Sequence, residues 1–167
     1  DFEIHELLVE NLYLEGKRIG GTPFGFVIGR QNLFYGEGFV CWDGGPLDGS
    51  RTAYFNALVI KAEFEKRRVE AHFISNPERD EYLPVANDQE QQLIERDETG
   101  AGVYFIDDSL ADAMLEAYAF YKNEEKMCEI YTIGGRASGS AADRLSFVAE
   151  GAVQIVSGEP SEGVAFG

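Results

Sequence analysis

Tyr54–Phe64 reads Y-F-N-A-L-V-I-K-A-E-F, and its alternation decides the fold. Asn56, Leu58, Ile60, Ala62 and Phe64 share one parity, while Phe55, Ala57, Val59, Lys61 and Glu63 share the other. Successive side chains of a strand point to opposite faces. The first set therefore makes a face that turns apolar toward its C-terminal end, and the second acquires charge. Beyond Glu65 and Lys66 the pattern resumes, with Val69, Ala71 and Phe73 opposing Arg68, Glu70 and His72. Two such strands joined by a short charged connection predict a β-hairpin over Tyr54–Ser75.

Upstream, Phe24–Phe34 reads as a strand with Phe24, Phe26 and Ile28 on one side. It breaks into Tyr35, Gly36, Glu37 and Gly38, and a Gly-rich loop follows to Thr52. Glu15–Pro23, with Gly16, Gly20 and Gly21, is a turn region. Before it, a first strand is predicted over about Phe2–Leu14; both its parities carry apolar residues, so its outward face is not assigned. Downstream, a long polar connection (Asn76–Glu98) precedes Thr99–Ile106, where Ala101, Val103 and Phe105 align. Met114–Lys122 is a further strand, and N-E-E-K turns tightly into Met127–Ala137. Helix is the rival for D-S-L-A-D-A-M-L-E-A-Y-A-F-Y, because Ala, Leu, Met and Glu are good helix formers and Asp108 or Ser109 offers a cap. G-G-R-A-S-G-S-A-A-D is expected to connect to the last strand, Arg144–Val156. There Leu145, Phe147, Ala149, Gly151, Val153 and Ile155 form an uninterrupted apolar parity.

With 167 residues the chain suits one domain spanning 1–167, and its 12 Phe, 8 Tyr and 19 Gly suit a sheet protein rich in turns. A formal charge of −16 argues against nucleic acid as a partner. Cys41 and Cys128 have neither metal-ligand nor C-x-x-C spacing and read as two unpaired thiols. No apolar run reaches the roughly 18 residues of a membrane-spanning helix, which leaves open a barrel whose strands alternate. Asp1 opens directly into strand-like sequence and Gly163–Gly167 looks like the start of another strand. The chain thus reads as a segment cut within sheet at both ends.

From the second strand onward the connections run long, short, long, short, interrupted by the N-E-E-K turn. Long loops at one rim and tight turns at the other are the habit of outer-membrane barrels. At G-R-Q-N-L-F-Y-G-E-G (Gly29–Gly38) the chain resembles the alginate-export family of bacterial outer-membrane porins. Phe55–Leu58 (F-N-A-L), Ile133–Arg136 (I-G-G-R) and Ala149–Gln154 (A-E-G-A-V-Q) are similar to that family too. The resemblance covers most of the chain. It implies an all-β fold, either an antiparallel transmembrane β-barrel or about eight strands of a larger one. It also implies passive passage of a hydrophilic solute, such as an oligosaccharide or polysaccharide, across the bacterial outer membrane, without catalysis or cofactor. The family's solute is a polyanion, for which a pore lined with cations is expected; this chain is instead strongly acidic.

On this reading Arg30, paired with a carboxylate, and Lys61, Glu63, Glu70, His72, Glu116, Glu150 and Gln154 line the pore, while Leu58, Ile60, Phe64, Leu145, Phe147 and Val153 face lipid. Arg30 follows Phe24, Phe26 and Ile28 on their parity. A bulge at Gly29 would swing it to the lumen; otherwise the strand has reached the rim. His72 has no second His nearby and reads as a wall residue rather than a metal ligand, and no metal site is assigned. Tyr13, Phe24, Tyr54, Phe73, Tyr104 and Tyr121 fit interfacial girdles or ordinary core packing equally well. Asp43, Asp48, Asp80 and Asp88 lack calcium-loop spacing and read as solvated loop charges. Two other functions compete with the porin: a soluble all-β carbohydrate-binding or structural module, and a barrel anchoring a larger membrane complex.

Overall fold

The computed structural model describes residues 9–36, 38, 54–84, 94, 96–142 and 145–158, with backbone alone at 141 and 142. Eight strands make one antiparallel sheet in sequence order: β1 (Leu12–Gly16), β2 (Phe24–Gln31), β3 (Phe55–Glu63), β4 (Arg67–Asn76), β5 (Glu98–Asp107), β6 (Ala113–Glu124), β7 (Cys128–Ala142) and β8 (Leu145–Gly158). The described residues contain no α-helix, only a 3₁₀ turn at Ile19–Gly21. The sheet is open, since β1 and β8 are its two edges.

Strand β6 occupies the stretch for which a helix was the rival, because its two neighbours supply ladders that local propensity cannot foresee. The first strand is shorter and later than expected, with residues 9–11 outside it and residues 1–8 outside the described set. Cys41, Asp43, Asp48 and Asp88 also lie outside the described residues. The expected connection G-G-R-A-S-G-S-A-A belongs instead to β7, paired with both neighbours through Gly139 and with β8 alone beyond it, and only residues 143 and 144 separate β7 from β8. The glycines tolerated there have partners: the Tyr118 ring lies across Gly134, its Cε2 2.5 Å from where a Cβ would stand.

The registers fix the two faces. Lys61, Glu70, Tyr104, Tyr118 and Gly134 stand in one cross-strand row, and Val27, Val59, His72, Gly102, Phe120, Thr132 and Gln154 in the next. On the other face Ile28, Leu58, Phe73, Ala101, Tyr121, Tyr131 and Ile155 align. Burial is inverted relative to a water-soluble sheet. Ile60, Phe64, Leu145, Phe147 and Val153 are exposed, Val153 at 68 %, and Leu58 is half-buried. Glu70, His72, Tyr104, Glu116 and Thr132 on the opposite face are buried.

A segment following β2 covers that polar face. Leu33 packs with Val27, Ala57 and Val59, and Tyr35 packs beside them. A methyl placed on Gly36 would fall 2.8 Å from Glu150 Oε2 and 3.1 Å from Arg136 Cδ. In a flat sheet β8 would lie about 29 Å from β2, six strand spacings away. Five residues from Gln31 to Gly36 reach about 18 Å at most, and a glutamate side chain adds only a few ångströms to that reach. The sheet is therefore curled into a trough around its polar face, with residues 32–36 strapped across the inside.

Candidate functional site

The polar floor of the trough is the candidate site. Tyr35 stacks on Tyr104 with centroids 4.4 Å apart, and Tyr104 stacks on Tyr118 at 5.5 Å. Each hydroxyl of this ladder donates to a different carboxylate: Tyr35 to Glu70, Tyr104 to Glu116 at 2.9 Å, and Tyr118 to Glu150 at 3.0 Å. A tyrosine suits such a place because its ring buries apolar area while its hydroxyl satisfies a charge that burial would otherwise strand. His72 lies beside the ladder, fully buried, edge-on to Tyr35 at 5.2 Å and tilted to Phe120 at 5.6 Å. Neither ring nitrogen of His72 has a hydrogen-bond partner among the described residues, and Nε2 stands 3.9 Å from Glu70 Oε2.

Cations complete the floor, each beside carboxylate. Arg68 Nε is 3.0 Å from Glu70 and Lys61 Nζ is 4.0 Å from it. Lys122 sits between Glu98 at 2.6 Å and Glu124 at 2.7 Å. Arg136 donates to Glu116 and, at 3.2 Å, to Ser138, with Glu150 opposite it in the ladder. A small polar cavity lies between the strap and β3–β4, lined by Gln31, Asn32, Tyr35, Lys61, Arg68 and Glu70.

Of the residues singled out as pore-lining, Lys61, Glu70, His72, Glu116 and Glu150 meet in this cluster. Glu63 is exposed on the same face opposite Arg68, and Gln154, also exposed, donates to Thr132 at 3.1 Å. Arg30 stands apart. Both ladders pass Gly29 without a register shift, so there is no bulge, although Gly29 adopts φ 128°. Strand β2 ends one residue beyond Arg30, which therefore sits at the rim. There the guanidinium meets Asp80 through two bonds (2.7 and 2.8 Å), Asn56 Oδ1 at 3.0 Å and the Val9 carbonyl at 2.9 Å, under the Tyr54 ring. Asp80, expected to be a solvated loop charge, is as buried as its partner, with side-chain exposures of 1 % and 0 %. Burial alone would raise its carboxyl, but the Arg30 bonds and the Leu83 and Tyr82 amides hold it below the usual value.

Tyr35, Tyr118, Arg136 and Asp80 were not singled out as site residues from the sequence. Tyr104, a girdle candidate, is buried in the floor, and Tyr54 caps Arg30. Tyr104 could have been placed, since it shares the parity of Gly102 and Ile106, opposite Val103 and Phe105. Arg136 was hidden by the small residues around it, which give alternation nothing to contrast. Among the described residues no three His, Cys, Asp or Glu side chains converge as metal ligands, and Cys128 is a free thiol. Comparison with protein families, curated proteins and solved structures finds no match for this chain.

Proposed function

We propose that the chain forms wall of a transmembrane antiparallel β-barrel in a bacterial outer membrane, conducting a hydrophilic solute passively along its polar face, as its resemblance to alginate-export porins implies. The observation that carries this reading is the inversion of burial. On β2 to β7 large apolar side chains stand uncovered on one parity, and on the edge strand β8 on both, while carboxylates, a histidine and tyrosine hydroxyls are sheltered on the opposite face. In water an uncovered apolar face of this extent is a liability, and in a bilayer it is the requirement.

Dimensions agree with a membrane wall. From Leu145 to Ile155 the outward parity of β8 is Leu, Phe, Ala, Gly, Val, Ile. Ten residue steps run about 34 Å along a strand, or about 26 Å of bilayer depth at a tilt of about 40°. The apolar band of such barrels is about 25 Å tall. The connections also fit: residues 32–54 and 77–97 are long and leave from one rim, while 64–66, 108–112 and 143–144 are short at the other. The turn at 125–127 is the exception on the long-loop side.

A soluble module would need a second layer over the apolar parity, and no described element supplies one. On the porin reading, residues 32–36 narrow the lumen from inside. The decisive experiment is purification of the full-length protein with and without detergent, followed by reconstitution into planar bilayers. Folded protein is expected only with detergent or lipid, and it should open steady conductances. A folded monomer in detergent-free buffer would refute the proposal.

A further inference from the structure

Resting on that lumen assignment, we infer that the passage prefers cations to anions, so its solutes are neutral or cationic rather than polyanionic. The reason is how charge is distributed on the polar parity of the eight strands. Around β3 and β4, Lys61 and Arg68 balance Glu63 and Glu70. At the long-loop end of β5 and β6, one cation, Lys122, serves two carboxylates, Glu98 and Glu124. Across β6, β7 and β8, Arg136 is the one cation among the described strand residues that faces Glu116 and Glu150. Glu15 in β1, opposite Val27, lies 3.1 Å from Lys17, which offsets it. Among the described residues the wall thus carries five cations against seven carboxylates, a net charge of −2.

The placement of the cations matters as much as their number. Every one of them lies within 4.0 Å of a carboxylate, so none presents a bare positive charge to an entering anion. The approach to the lumen carries the same sign: with Asp80 already paired with Arg30, the described residues of the connection hold Glu78, Glu81 and Asp97 against Arg79 and Arg96. A polar cleft bounded by low-dielectric walls focuses such a field and concentrates counter-ions of opposite sign. A polyanion would meet repulsion at the mouth and again along the wall.

The test is the reversal potential of the reconstituted full-length protein across a KCl gradient. Potassium is expected to be several-fold more permeant than chloride at low ionic strength. The ratio should fall toward unity in molar salt, where the screening length shrinks from about 10 Å at 0.1 M to about 3 Å. Glu63→Lys, at an exposed position where folding is not at stake, should lower the ratio. A reversal potential at zero or on the chloride side at low salt overturns the inference while leaving the porin standing. Absence of any conductance overturns both.

Discussion

Gly151 offers a clean way to ask what surrounds the apolar parity. It lies in the outward row of β8, next to the midpoint of Leu145–Ile155, and a Cβ built on it meets nothing within 4 Å. Steric cost is therefore absent, and replacing an interior strand glycine should by itself gain about 0.5–1 kcal/mol. In water, Gly151→Arg would then be neutral or stabilising, like other exposed surface changes, which stay within about 0.5 kcal/mol. In a bilayer the same guanidinium lies close to the midplane, where it costs about 2–4 kcal/mol. The comparison is between Gly151→Arg and Gly151→Ala, so that the glycine term cancels. The difference corresponds to roughly 30-fold to nearly 1,000-fold in the folding equilibrium. Reversible urea unfolding in phospholipid vesicles measures it, and Leu145→Arg, near the interface, should cost about 0–1 kcal/mol by the same depth profile. Equal stabilities of Gly151→Arg and Gly151→Ala would refute the claim that this face meets hydrocarbon.

Three further outcomes follow from the contacts. Asp80→Ala strands the buried Arg30 guanidinium and should cost about 3–5 kcal/mol near neutral pH, whereas the double replacement Arg30→Met with Asp80→Leu should recover most of it; denaturant titration measures both. Because Asp80 titrates lower folded than unfolded, its contribution is complete above the unfolded value near 4 and is lost as pH falls through the folded one. The gap between wild type and Asp80→Ala should accordingly close in acid. Gly102→Val drives a side chain into the Phe120 ring and should cost about 1–3 kcal/mol, a loss expected to shrink in a Phe120→Ala background. Tyr35→Ala removes both the stack on Tyr104 and the bond to Glu70, so single-channel conductance should rise as the strap loosens; an unchanged conductance would mean that residues 32–36 do not narrow the passage.

The parts of the molecule legible in the sequence are those where one face is apolar and the other is not. The β3–β4 hairpin, β5, and β8 from Leu145 onward announce themselves by alternation, and with them Glu70, His72 and Glu150, while Glu116 follows from the alternation of Met114–Lys122 within β6. The second half of β7 does not, because Gly134, Gly135, Ala137, Ser138 and Gly139 are too small to contrast, and what makes them a strand is the pairing with β6 and β8. Tyr35 could not be placed because N-L-F-Y-G has no period; its position is decided by rings and carboxylates contributed by strands much later in the chain. Asp80 sat among many acidic neighbours, and only the fold selects it as the partner of Arg30 across 50 residues.

The strap also bears on the order of assembly. Every strand pairs with its neighbour in sequence, so the sheet can zip strand by strand, each step closing only the connection to the strand before it. Gly36 alone among the described glycines reaches past that scheme, to Arg136 and Glu150, 100 and 114 residues on. Its seat does not exist until β7 and β8 are in place. On the porin reading the passage is therefore built wide and throttled last, and a chain stalled before its final hairpin would leave an unguarded gap rather than a narrow one.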